Sequence, residues 1–457
     1  MKATSAILAL IVIGLSAIIN LVTNAQWTWI PGGLAALFFI ILEWGRLARS
    51  ARILFAALVG LTVTVSLTVP DPIALVHLAT ERALYLGYFV LAMGILQATA
   101  GSSPLVHRSG QVLVSQKPGR RYATLTYGGA LFGLPLSVGA VGLLGTMIRH
   151  GVGDPSERVA AIRLQRMTTA LLRGVASVPL WSPTSISIPI ILLSMPDLTW
   201  LIIVSHSGIL AVSFLSIGWL LDRLANPRVG PASTEPAAHG LTELGPFLAL
   251  LVSLLLAVIA VAQALDLNIV SANILLAPAV SLLWQVVQQR GRGAQKPARK
   301  ALQVMSTEIL PSLRNMRSEF TIFAVSGALG VLIIPLVDAK ALGEAILPYA
   351  SSGGAALVLA YVFIVLTGLL GLNPIVSVTL AIGILTRMET FDFRHIDIAM
   401  VVLSAWATTV TISPFTSNVR LTALAVGVDP VKVGPRWNVG FISVIAALVI
   451  GGCLVLL

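Results

Sequence analysis

Apolar runs about as long as a bilayer is thick fill this sequence. They fall at about 5–22, 29–44, 53–70, 83–100, 122–148, 169–195, 199–221, 244–265, 267–288, 320–337, 353–386, 397–425 and 437–457. A helix needs about 20 residues to cross a membrane, and a water-soluble fold has no use for so many. Of the 457 residues only 10% are charged and 57% are hydrophobic, against roughly 25% charged in a soluble domain. Mean hydropathy is +0.94. A soluble core, a disordered chain, a collagen and a disulfide scaffold are excluded, and an all-α polytopic membrane protein is expected. The first run, after Lys2, is long for a signal peptide, and Thr23-Asn24-Ala25 is a poor cleavage site. It reads as an uncleaved helix.

Two runs do not read as single crossings. The run 353–386 breaks at Gly371-Leu372-Asn373-Pro374, and 122–148 breaks at Gly133-Leu134-Pro135. Each arm is about 11 to 18 residues, and at 1.5 Å per residue it reaches only about the midplane. Both are expected to be re-entrant hairpins beside about eleven full crossings.

The net charge of +11 tests that topology. With Lys2 inside, the inner loops collect Arg46, Arg49, Arg52, Arg108, Lys117, Arg120, Arg121, Arg149, Arg158, Arg163 and Arg166. They also collect Arg223, Arg228, the cluster from Arg290 to Lys300, Arg314, Arg317, Lys432 and Arg436. Only Arg82, Lys340, Arg387 and Arg394 fall outside, the asymmetry that membrane orientation produces. The N-terminus is then cytoplasmic and the C-terminus outside, in a bacterial inner membrane. No basic stripe interleaves with aromatics, so nucleic acid is not a partner, whereas membrane lipid is. Cys453, the single cysteine, has no internal partner.

The same topology exposes an inverted repeat. Gly133-Leu134-Pro135-Leu136-Ser137 resembles Gly371-Leu372-Asn373-Pro374-Ile375-Val376-Ser377, and Trp181-Ser182-Pro183-Thr184-Ser185 resembles Ile412-Ser413-Pro414-Phe415-Thr416-Ser417-Asn418. Asp197 and Asp429 follow at matching distances. Residues 1–28 are then an extra helix and 29–222 the first repeat, with hairpin 122–148 and unwound helix 169–195. A cytoplasmic linker, 223–242, leads to the second repeat, 243–457, with hairpin 353–386 and unwound helix 397–425.

Ser-Pro inside a span frees carbonyls, because proline lacks the N–H and clashes with the preceding turn. Those groups must meet protein or a water-filled cavity, and each break leaves a half-helix N-terminus that attracts anions. Paired breaks and hairpin tips near the midplane are the mark of a secondary carrier. The candidate substrate-binding residues are therefore Pro135, Ser137, Ser182, Thr184, Ser185, Asn373, Pro374, Ser377, Ser413, Thr416, Ser417, Asn418 and Arg420. Arg420, two positions after Asn418, could clamp an anion, or its side chain could snorkel to the interface. Arg173 reads as a positive-inside anchor. The hydroxyls of Ser182, Thr184, Ser413 and Thr416 are hard oxygen donors suited to Na⁺. No Asp or Glu lies at mid-span, and His206 is the single histidine within one, so Na⁺ coupling is expected over a proton relay. No other cofactor is expected. An enzyme would need His, Asp, Glu or Cys clustered at membrane depth, which the sequence does not supply.

The arrangement resembles the ion transporter superfamily: divalent anion/sodium symporters, citrate transporters, arsenite exporters and the large membrane subunit of tripartite periplasmic (TRAP) transporters. The sodium-coupled anion members carry Ser-Asn-Thr motifs at their hairpin tips. Here the first tip has Leu136-Ser137 without Asn, and the second has Asn373 before its proline and Ser377 after it. The resemblance implies a homodimer built through scaffold helices and an elevator-like movement of the hairpin domain. It implies a symporter of a small carboxylate or oxyanion, with an arsenite-type exporter or a TRAP-like subunit that needs a binding protein as alternatives.

Overall fold

In the computed structural model, residues 2–153, 156–225, 240–336, 341, 344, 348–350, 352–388 and 390–456 are described, and their regular structure is entirely helical. Among them, nine helical stretches are long and apolar enough to cross a membrane. The protein is an all-α polytopic membrane protein. Two expected crossings are not among those nine. The run 169–195 is interrupted near its centre, and 320–337 yields a helix of 16 residues. Asp338 and Lys340, and most of the linker, at 226–239, lie outside the described residues.

The chain divides into two compact units, each taking a piece from both halves of the sequence. Unit 1 comprises Met1–Thr99 and Val258–Glu344, and unit 2 Ala100–Ala257 and Ala345–Leu457. Unit 1 is built on α1 (Lys2–Thr23), α2 (Trp29–Glu43), α3 (Arg49–Thr68) and α4 (Pro72–Gly101). α4 starts eleven residues before the expected 83. Pro72 is pre-set for a first helical turn, Asp71 accepts from the Ala74 amide at 3.2 Å, and Arg82 therefore lies within a helix rather than a loop.

Unit 2 opens with α5 (Pro104–Val114), followed by α6 (Pro118–Leu136) and α7 (Gly139–Gly151), which form the first hairpin. α8 (Arg158–Ala176) absorbs the interfacial arm expected at 155–168 into one continuous helix that leads to the first break. Beyond it come α9 (Val178–Trp181), α10 (Ser187–Ser194) and α11 (Trp200–Ala225). α12 (Gly245–Ala264) leads back towards unit 1, which continues with α13 (Ile269–Gly291), α14 (Pro297–Val304), the single turn α15 (Leu310–Ser312) and α16 (Arg317–Leu332). Unit 2 resumes with α17 (Gly353–Leu369) and α18 (Pro374–Leu385), the second hairpin. The second broken helix is α19 (His395–Ile412) plus α20 (Ser417–Val426), and α21 (Trp437–Leu456) closes the chain.

The two broken helices are the buried centre of unit 2. Residues 167–180 and 401–413 are buried without interruption, whereas in α3 only Ala51 and Val65 are buried. The serine that ends each first half-helix, Ser182 or Ser413, is fully buried, so protein surrounds the backbone at the start of each break, while Phe415, Ser417 and Arg420 beyond the second are exposed.

The hairpins interlock with these centres crosswise. The first arm of each packs on the broken helix of its own half, α6 on α8 and α17 on α19, while the second arm packs on that same helix and also on the terminal half-helix of the other half, α7 on α8 and α20, α18 on α19 and α10. Close approach of α6 and α8 depends on small residues, as is common between membrane helices. A Cβ on Gly174 would overlap the Thr126 carbonyl oxygen, and one on Gly129 would lie 3.1 Å from that of Leu171.

Candidate functional site

Ser182 and Ser413 occupy the same local geometry. Their backbone angles are φ −82°, ψ 128° and φ −73°, ψ 123°, extended values that end α9 and α19. Each amide donates to the carbonyl four residues back, Val178 at 3.0 Å and Thr409 at 2.9 Å. Each hydroxyl accepts from the amide two residues on, Thr184 at 3.3 Å and Phe415 at 3.2 Å. Such serine turns let the side chain replace a lost backbone partner.

A hydroxyl then ties each break to its hairpin. Thr184 Oγ1 donates to the Leu134 carbonyl at 2.8 Å, and Ser413 Oγ donates to that of Gly368 at 2.7 Å. Behind these bonds the hairpin arm comes close enough to exclude a side chain. A Cβ on Gly133 would meet Val178, and one on Gly368 would meet Thr409. Val178 and Thr409 each lie four residues before the serine of their break. The contacts thus pair Gly133 with Gly368, three residues from the Gly133–Gly371 match read in the sequence. Gly371 instead supplies the positive φ, +95°, that ends the first arm of the second hairpin, the place held by Ser137 at φ +47° in the first.

At the first break, polar groups are fully engaged with one another. Ser182 Oγ and Thr184 Oγ1 are 2.7 Å apart, Ser185 Oγ and Ser187 Oγ 3.0 Å apart, and Ser187 donates to the Pro179 carbonyl at 2.8 Å. That carbonyl is the one Pro183 strands. Trp200 Nε1 donates to the Trp181 carbonyl at 3.0 Å. Ser187 and Trp200 escaped the sequence reading, although a serine one turn beyond a proline is a recognisable signal.

The second break differs. Thr416 Oγ1 donates to the Ser413 carbonyl at 2.9 Å, but the side chains of Ser417, Asn418 and Arg420 have no hydrogen bond among the described residues. Asn418 is buried, and Arg420 and Ser417 are exposed. The unpartnered donors, one of them cationic, therefore lie on the first turn of α20, at its positive end. At the hairpin tips, Pro135 lies inside α6 and is buried, whereas Ser137 is exposed. Asn373 Oδ1 accepts from the Ile375 amide at 3.0 Å, capping α18, and Pro374 holds its first position. Ser377 Oγ lies 2.7 Å from Thr367 Oγ1, so Asn373, Pro374 and Ser377 shape the hairpin.

Two other sequence-level readings change. Arg173 is buried, not an interfacial anchor. Its Nε donates to Asn438 Oδ1 at 2.9 Å, its Nη1 to the Tyr122 hydroxyl at 2.7 Å, and its guanidinium lies 4.3 Å from the centre of the Phe441 ring. A cation at such depth is tolerated when its donors are filled. His206 is exposed, with Nδ1 2.9 Å from the Ile202 carbonyl of its own helix, which leaves it no place in a buried relay.

No protein-family model matches the chain, and no curated protein matches it. The chain is similar to the solved structure of the YdaH transporter of Alcanivorax borkumensis, at 17% sequence identity over 88% of each chain and a TM-score of 0.44.

Proposed function

We propose that the protein is a secondary carrier for a small anion, a carboxylate or an oxyanion, coupled to Na⁺. The observation that carries this reading is the pair of helix breaks in unit 2, each bound by a hydroxyl to a backbone carbonyl near the tip of its own hairpin. Helices broken at depth cost backbone hydrogen bonds, and an inverted pair of them is how carriers build a site reachable from both sides.

In this reading the anion sits at the start of α20. The Arg420 guanidinium provides charge and a bidentate fork, Asn418 a free amide, and the half-helix N-terminus its N–H groups. Ser137, Ser185 and Ser417 line the approach, and Pro135, Asn373, Pro374 and Ser377 hold the tips. Na⁺ is held by the oxygens of Ser182 and Thr184 with the Leu134 carbonyl, and of Ser413 and Thr416 with that of Gly368. Coordination replaces the hydroxyl-to-carbonyl bonds, turning the oxygens towards the ion. Unit 2 then moves as one elevator-like body, in a homodimer of the bacterial inner membrane.

Thermal unfolding of the purified protein tests the ligand and ion together. Sulfate, succinate, citrate and arsenite are each added in NaCl and in KCl. One anion is expected to raise the melting temperature, and more so in Na⁺, since a ligand that binds only the folded state stabilises it by mass action. No shift with any anion, in either salt, contradicts the proposal.

A further inference from the structure

We infer that the loop between α2 and α3, together with the start of α16, binds the phosphate of an anionic phospholipid. This site lies in unit 1 and does not depend on the proposed transport function.

Glu43, at the end of α2, is 2% exposed and is faced by three arginines. Its Oε1 accepts from Arg314 Nε at 3.0 Å and Nη2 at 2.5 Å. Its Oε2 has no hydrogen-bond donor and lies 3.7 Å from Arg46 Nη1 and 3.9 Å from Arg317 Nε. Arg317 also donates to the carbonyls of Arg46, at 3.2 Å, and Arg314, at 2.7 Å. The Ala48 amide donates to Ser318 Oγ at 2.9 Å, across 270 residues of sequence.

One buried carboxylate cannot neutralise three guanidiniums, and Arg49 and Arg52 add two more that are exposed and without a partner among the described residues. Over 43–53 and 314–319 the only other carboxylate is Glu319, so the positive excess persists. A topology signal needs only charge in a loop. It does not need guanidiniums from distant segments converged and braced by their own backbone. The exposed Arg46 guanidinium makes no hydrogen bond among the described residues and only a 3.7 Å ion pair with Glu43, leaving most of its donors for a phosphate. Next to the arginines, Phe38, Ile41, Trp44 and Ile53 are exposed, a surface suited to acyl chains below the headgroup. Phosphatidylcholine carries its own cation and gains little here, whereas phosphatidylglycerol does not.

The test counts lipids retained by the purified full-length protein in native mass spectrometry, with dioleoylphosphatidylglycerol or dioleoylphosphatidylcholine added. Phosphatidylglycerol is expected to bind preferentially, and the double variant Arg46→Gln/Arg49→Gln to weaken it roughly tenfold or more, at about 1 kcal/mol per basic residue, with phosphatidylcholine unaffected. Both arginines are exposed, so melting without lipid should match wild type. Equal retention of the two lipids by the wild type overturns the inference, as does undiminished phosphatidylglycerol binding by a folded variant. Displacement of phosphatidylglycerol by millimolar inorganic phosphate also overturns it, because the site would then read a free anion.

Discussion

Ser187 shows how a single hydroxyl makes a broken helix tenable. Pro183 deprives the Pro179 carbonyl of its helical donor, and Ser187 supplies another from the far side of the break. An unsatisfied buried carbonyl costs about 1–3 kcal/mol, and in lipid more. Arg420 is the opposite case, a cation left without an internal partner on the first turn of a half-helix. If it clamps the substrate, Arg420→Lys keeps the charge but loses the bidentate fork. The apparent KM of transport should then rise about tenfold or more with expression unchanged. An unchanged KM would assign Arg420 to the interface. The residue types at both breaks were legible in the sequence, since Ser-Pro within an apolar run has few other uses. Their partners were not. Arg173 illustrates the reason: one apolar run with an arginine near its end reads as an anchor, and only packing reveals Tyr122, Asn438 and Phe441 closing around it.

Elements were foreseen best where hydropathy alone decides them. The two hairpins appear where glycine and proline interrupt long runs, with α17 and α18 ending and starting around Gly371 and Pro374. Helix starts governed by polar residues were missed, as at α4, because Glu81 and Arg82 look like a loop until they are seen on a helix starting at Pro72. Register between the repeats was also misjudged. The Gly-Leu pairs at 133 and 371 match as letters, whereas the spatial match is between glycines that admit the broken helix. Such an approach is a property of the helix pair, and it carries a prediction. Gly174→Ala puts a methyl into the Thr126 carbonyl and should lower stability by about 3 kcal/mol or more, read as a loss of melting temperature in detergent. Gly451→Ala, with nothing within 4 Å, should leave melting unchanged. Equal behaviour of the two variants would refute the close packing of α6 on α8.

At the scale of the whole molecule, the chain sorts its polar breaks from its plain helices. Both hairpins and both broken helices fall in unit 2, although they come from opposite halves of the sequence. A repeat of equivalent elements in the two halves, as expected from the sequence, would give this sorting, because equivalent elements fold to equivalent places. It does not anticipate the crosswise packing of α7 on α20 and of α18 on α10. If the two breaks act as one transport site, uptake of the stabilising anion into proteoliposomes depends on both. Ser182→Ala and Thr416→Ala alter opposite breaks, each removing one hydroxyl from the enclosed centre. Loss of uptake in both variants, with normal expression and melting, is the predicted result. Uptake at the wild-type rate in both would contradict the account.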